Sequence, residues 1–161
     1  TRITLGTYTD RAELPEVAVL VAQQLEEAGF DVEQDVREYA NIEADMLAGN
    51  FDLFILSRAT VLDSGDPVAY MVSDFSCEGS FNISQLCDPA VDEALQKAAA
   101  IEPGPARNKA IIAAEAAILA AGGAVPMLHE RVIQGEALGV SGAERDPRER
   151  RLITEFTTLA E

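Results

Sequence analysis

The sequence predicts an α/β fold, a mixed sheet with a parallel β-α-β core flanked by helices. Three observations carry this reading. Strand-like and helix-like patterns alternate from Ile3 to Leu56. Two β-α-β units in succession imply parallel strands, because parallel neighbours need crossover connections. The run Phe51-Asp52-Leu53-Phe54-Ile55-Leu56 is apolar apart from one acid, as expected of a central parallel strand.

Each element has its own local reason. Ile3, Leu5 and Thr7 lie on one side of a short period-2 strand. Pro15 suits the first turn of a helix. Val17, Leu20, Val21, Leu25 and Ala28 then recur at three- and four-residue spacing as its apolar stripe. Gln23, Glu26 and Glu27 point outward, and Gly29 closes the helix as a left-handed cap. A second strand runs from Phe30 to Arg37, with Phe30, Val32 and Val36 as its apolar points. A short helix fits Tyr39 to Ala48, closed by Gly49-Asn50.

After the apolar strand the rhythm breaks between Ser57 and Pro89, a long connection of the kind that often carries function. Within it, Asp66 caps and Pro67 opens a short helix reaching Asp74. Asp88 caps the next helix, marked by Val91, Ala94, Leu95 and Ala98. Pro103-Gly104-Pro105 is a clear break. A further helix carries Ile111, Ala114, Ile118 and Ala121 on one stripe, with Ile112 and Leu119 beside it, and stops at Gly122-Gly123. Val125 to Leu128 and Val132-Ile133 read as strand. Residues 1–140 make up the α/β unit, and 141–161 form a polar C-terminal segment, a linker or an edge element.

Composition narrows the classes of function. The 161 residues suit one domain around a single hydrophobic core. A 48% hydrophobic and 25% charged content argues against wholesale disorder. With 28 acidic against 12 basic residues the formal net charge is −16. Such a surface repels phosphate backbones and anionic lipid heads, which argues against nucleic acid and membrane surfaces as partners. No apolar run approaches the roughly 20 residues that span a bilayer. The chain opens directly in a strand-like pattern with no leader, so it reads as a piece of a longer protein. The missing leader therefore says nothing about compartment.

Catalytic patterns find little support. Ser57, Ser64 and Ser73 lack the G-x-S-x-G context. The single histidine, His129, has no nucleophile and orienting acid at a recognised spacing. Glu26-Glu27 and Asp92-Glu93 are most simply solvated helix faces. Gly122-Gly123 follows a helix and so presents no helix N-terminus to phosphate. Cys77 and Cys87, in a polar stretch, are more simply a disulfide of an oxidising compartment than a metal pair, with free thiols as the alternative. The loop after the third strand is different. Arg58, Asp63 and Asp66 follow the carboxyl end of that strand, where open α/β sheets bind ligands. Asp63 either forms a turn with Ser64-Gly65 or accepts charge-assisted hydrogen bonds from an ammonium group.

These residues resemble a family. Tyr8 to Pro15 (YTDRAELP), Glu27-Ala28-Gly29, Phe51-Asp52-Leu53, Gly65-Asp66-Pro67, Phe81-Asn82, Asp88-Pro89-Ala90-Val91-Asp92 and Val125-Pro126-Met127-Leu128-His129 occur in order. Together they are similar to the peptide/nickel class (family 5) of extracytoplasmic solute-binding proteins of ABC importers, from Thr1 to about Val140. The resemblance is to part of the carboxy-terminal lobe, which implies a type II periplasmic-binding-protein-like fold. It is strongest to dipeptide-binding members, which look similar around Phe75-Ser76-Cys77 and from Asn82 to Cys87. It implies a disulfide between Cys77 and Cys87. In such members an Asp three positions before the Asp-Pro pair holds the peptide's α-ammonium, a role that falls on Asp63.

The family often has a Trp shortly after the Phe-Asp-Leu strand. This chain has no Trp, and Arg58-Ala59-Thr60 stands there instead. Arg58 either offers a carboxylate-binding fork or lies outward and pairs with surface acids. Thr60, Ser64 and Asn82 line or brace the cleft with it. The resemblance implies a non-enzymatic, cofactor-free solute-binding component that holds a small peptide or similar amine-bearing solute between two lobes. Its partners would be an ABC permease and the second lobe. Its place would be extracytoplasmic, with any lipid anchor outside this segment. The alternatives are a nickel–chelator carrier of the same family, a hydrolase using Asp63 and His129, and a partner-docking module.

Overall fold

Strand β1 (Arg2–Tyr8) is the centre of a three-stranded parallel sheet in the computed structural model, which describes residues 1–58, 65–129, 133–145 and 151–160. Strand β2 (Asp31–Arg37) pairs along its whole length, from Arg2 opposite Asp31 to Tyr8 opposite Arg37. Strand β3 (Leu53–Phe54) pairs on the other side, Leu5 with Leu53 and Gly6 with Phe54. Helix α1 (Glu13–Glu27) joins β1 to β2, and α2 (Tyr39–Leu47) joins β2 to β3. The order β2-β1-β3 means that the two crossovers run in opposite directions. Right-handed connections then put α1 and α2 on opposite faces. Leu5 through Tyr8 are accordingly all buried.

The central strand is therefore β1 and not the Phe51–Leu56 run expected there, which lies beside it with a regular ladder over only two residues. Side chains replace the ladder at both ends. The Asp52 carboxylate accepts from the Thr4 amide (2.8 Å), while the Asp52 amide donates to the Thr4 carbonyl (3.2 Å). Beyond Ile55, whose amide still reaches the Gly6 carbonyl, the Thr7 hydroxyl donates to the Ile55 carbonyl (2.9 Å). The chain can then leave β1 without stranding buried polar groups. Gly6 has a steric role here. A Cβ at that position would lie 2.6 Å from the Phe54 ring and 2.8 Å from Phe51. Those two rings meet edge to face, centroids 5.2 Å apart.

The buried stripe of α1 is Leu14, Ala18 and Ala22, rotated from the expected one. Val17 and Val21 flank it, whereas Leu20 is 58% exposed and Ala28 lies at the surface. Two alanines let the helix axis approach the sheet, so the bulkier residues sit at the margins of the contact. Leu5, Tyr8, Ile42 and Ile55 complete this cluster.

A second apolar cluster lies among α3 (Pro67–Phe75), α4 (Pro89–Ala99) and α5 (Pro105–Ala120). Val91, Leu95, Ala114 and Ile118 are its buried centre, with Met71, Phe75 and Leu86 against them. The expectation of a single core thus gives way to two clusters. The Asp66 and Asp88 caps form as expected, accepting from the Val68 (3.0 Å) and Ala90 (2.8 Å) amides. The expected strand at Val125–Leu128 does not form. Those residues are exposed with no regular structure, Ile133 likewise, and Val132 lies outside the described residues. Among the described residues no strand flanks them, and a strand without a ladder partner has no stabilisation. The one further sheet is an antiparallel pair, β4 (Val140–Ser141) with β5 (Thr158–Leu159). Among the described residues no helix is long and apolar enough to cross a membrane.

Candidate functional site

The strand order reverses between β1 and β3, and open α/β sheets bind ligands beyond the carboxyl ends of the strands at such a point. Tyr8 closes β1 there. Its hydroxyl donates to the Ser57 carbonyl (3.2 Å) and accepts from the Ser57 amide (3.1 Å). One phenol thus holds both backbone groups of the residue before Arg58. The Tyr8 ring meets Tyr39 edge to face at 5.2 Å. The Tyr39 hydroxyl donates to Glu43 (2.8 Å), and the Asp10 carboxylate accepts from the Tyr39 amide (2.7 Å) at the start of α2. Burial, then the hydrogen bond to the Glu43 carboxylate, pushes the Tyr39 phenol up to about 12, so it is neutral at physiological pH.

Arg58 is the best-defined charged group at this end of the sheet. Its Nε and Nη2 each donate to a different oxygen of Asp74, both at 2.8 Å. The guanidinium carbon lies 4.7 Å from the Tyr70 ring centre and 4.2 Å from that of Phe81. The Asp74 side chain is 8% exposed and that of Arg58 37%. Charge-assisted bidentate bonds and two aromatic faces fix the plane of the guanidinium. Neither sequence expectation for Arg58 describes this fully. It forms a fork, but toward an acid of its own chain, and that acid is buried.

Asp66 anchors the other side of the 59–64 segment. Besides capping α3, it accepts from Nη2 of Arg107 on α5 at 3.0 and 2.8 Å. Arg107 and the Val68 amide hold its carboxyl below the usual carboxylate range. Downstream of α3, Cys77 and Cys87 form a disulfide. Asn82 sits inside the loop it closes. Its amide group donates to the carbonyls of Ser76 (2.9 Å) and Leu86 (2.6 Å). Its side-chain oxygen accepts from the Leu86 amide (3.2 Å) and the Ser84 hydroxyl (3.0 Å). Of the two expected roles, this geometry is that of a brace. An open groove of about 290 Å³ passes between this loop and Leu47, and Arg58 is not among its walls.

Among the candidate residues, Arg58 and Asn82 are thus seen in place, while Asp63, Thr60 and Ser64 lie outside the described residues. His129 is exposed. No three His, Cys, Asp or Glu side chains converge as a metal site among the described residues. The sequence reading passed over Tyr8, Tyr39, Tyr70, Asp74 and Phe81. Only Tyr70 and Asp74, four apart on α3, left a local signal of their pairing on one face.

No protein-family model matches the sequence, and no curated protein matches it. Solved structures do. A nickel ABC transporter protein from Bacillus halodurans shares 26% identity at a TM-score of 0.67, over 76% of this chain and 26% of its own. The murein tripeptide binding protein MppA of Escherichia coli shares 26% identity at a TM-score of 0.65, over 76% of this chain and 23% of its own. NikA from Staphylococcus aureus, solved with Ni(L-His)2, is 18% identical at a TM-score of 0.67, over 98% of this chain and 34% of its own. At that identity the last likeness speaks for the fold alone. The chain spans about a quarter of the length of the first two, 26% and 23%.

Proposed function

We propose that this chain is part of the solute-binding component of a peptide/nickel-type (family 5) ABC importer. The solved structures that it resembles are solute-binding proteins of that type, and it has part of their type II periplasmic-binding-protein fold. It would contribute one wall of a cleft that closes on a small peptide or similar amine-bearing solute by hinge motion and delivers it to the permease. The observation that carries this is the match over 76% of the chain at 26% identity to both a nickel and a murein tripeptide carrier.

In this reading Asp63 accepts the solute's ammonium, with Thr60 and Ser64 beside it and Asn82 bracing the disulfide loop next door. Tyr8 and Asp74 fix Ser57 and Arg58 at one end of that stretch, and Arg107 fixes Asp66 at the other. A non-enzymatic role fits, since the neighbours are binding proteins. The place of work would be extracytoplasmic, with any lipid anchor outside this segment. A nickel complex with a small organic chelator is the second reading, favoured by the Bacillus halodurans structure.

Calorimetry with alanylalanine and its N-acetyl derivative tests the ammonium role. This chain should bind the free amine weakly, because the second wall is missing, and the acetylated peptide more weakly still. Sub-micromolar binding to this chain alone, or equal binding of the two peptides, would overturn the reading.

A further inference from the structure

We propose that the Cys77–Cys87 disulfide is a thiol-exchange site, where a small uncharged or cationic thiol forms a mixed disulfide with Cys87 and releases the loop between the cysteines. Both cysteines line the open groove of about 290 Å³ beside Leu47, so a small molecule in that groove stands against the disulfide. Cys87 is exposed, whereas Cys77 is half-buried and its amide donates to the Asp92 carboxylate on α4 (3.1 Å). Attack therefore falls on the Cys87 sulfur. The loop also holds its neighbours. The Phe81 ring lies 4.2 Å from the Arg58 guanidinium carbon. Gln85 Nε2 donates to the Leu47 carbonyl at the end of α2 (2.9 Å) and to the Asn82 carbonyl (3.0 Å). Gln85 itself has a φ of 54°, a left-handed backbone that costs a residue with a Cβ. The surrounding structure must hold it there, and the covalent closure two residues on, at Cys87, is part of that hold.

In the exchange step a thiolate attacks Cys87 Sγ. The new bond joins the thiol sulfur to Cys87 as the Cys77–Cys87 bond breaks. The electron pair leaves on Cys77 Sγ, which takes a proton from water. One disulfide replaces another, and a second thiolate then displaces the first as a small-molecule disulfide, the thiol being the reductant. Asp88 follows Cys87 directly, Asp92 holds Cys77, and the net charge is −16, so an anionic thiol is repelled. Once the bond opens, Gln85 relaxes from its left-handed backbone. Its grip on Leu47 and the Phe81 face on Arg58 then loosen together. The buried centre of the adjoining cluster is Val91, Leu95, Ala114 and Ile118, so the helical packing does not depend on this bond alone. The inference does not rest on the solute-binding reading.

Cysteamine is the probe, applied to the folded chain without denaturant. Trapping the freed thiol with N-ethylmaleimide and mapping the peptides should place cysteamine on Cys87 and the maleimide on Cys77. In the trapped protein the Phe81 and Leu86 amides, bonded to the Ser73 carbonyl and the Asn82 side chain, should lose about tenfold more hydrogen-exchange protection than those of β1. The Arg58 Nε–H resonance should shift as the Phe81 ring moves away. The anionic 3-mercaptopropionate should react several-fold more slowly than cysteamine at low salt. Gln85 is exposed, so Gln85→Ala keeps the fold, and its looser loop should react several-fold faster than the wild type. Cysteamine found on Cys77, or protection lost equally in β1, would overturn the proposal. So would an unmoved Arg58 resonance, equal rates for the two thiols, or an unchanged rate in Gln85→Ala.

Discussion

The Thr7 hydroxyl shows how one atom decides where a strand ends. It takes the Ile55 carbonyl at a fully buried position, in place of a backbone donor. Thr7→Val keeps the shape and removes the donor. It should cost about 1–3 kcal/mol in denaturant unfolding, the usual penalty for a buried acceptor left unpaired. Tyr39 gives a pH signature. Its phenol is raised from 10.0 to about 12, so it contributes stability that is full below pH 10 and is lost as pH rises toward 12. Thermal midpoints should therefore fall across that window, and Tyr39→Phe should flatten part of the fall. An identical profile in the variant would refute the assignment. Asp66 runs the opposite way. Its lowered carboxyl stabilises above the ordinary carboxylate range, and this is lost as pH falls through the depressed value. Asp66→Asn should reduce the acid sensitivity of unfolding.

At the scale of elements, most of the order was legible. Helix starts were clear because Asp66-Pro67 and Asp88-Pro89 combine a side-chain cap with a fixed φ, a local code. The β-α-β rhythm was equally local. What misled was whatever depended on packing at a distance. The apolar run Phe51–Leu56 resembles a central strand, but the Thr7 and Tyr8 side chains, far away in sequence, peel its end away from the ladder. The α1 stripe followed residue size, whereas contact with the sheet favours Ala18 and Ala22. For the candidate site, position alone singled out the loop after β3, whose Thr60, Asp63 and Ser64 lie outside the described residues. The Asp74–Arg58 partnership was not legible, because residues 16 apart carry no local spacing signal. Two element-level tests follow. Gly6→Ala should destabilise by about 1–3 kcal/mol through overpacking against Phe54 and Phe51. Replacing Cys77 and Cys87 by serine together should cost about 2–4 kcal/mol, in the range for short disulfide loops. A change within error in either case would contradict the packing described.

For the molecule as a whole, one apolar cluster is drawn from the chain before Ser57, between sheet and helices, and the other from the chain after Asp66, among α3, α4 and α5. Ion pairs to Asp74 and Arg107 tie both ends of the 57–66 stretch to the helical cluster, while Tyr8 ties Ser57 to the sheet. A loop held firmly at both ends has less ordering cost to meet on binding any ligand it contacts. The most direct measurement of the solute-binding claim is mass spectrometry of small molecules released by denaturing the full-length protein after purification from its own source. The account predicts a peptide or other amine-bearing solute, or a nickel chelate, held by the wild type and, for an amine-bearing solute, lost from Asp63→Asn. Recovery of no solute from either protein, or of the same amine-bearing solute in equal amount from both, would contradict it.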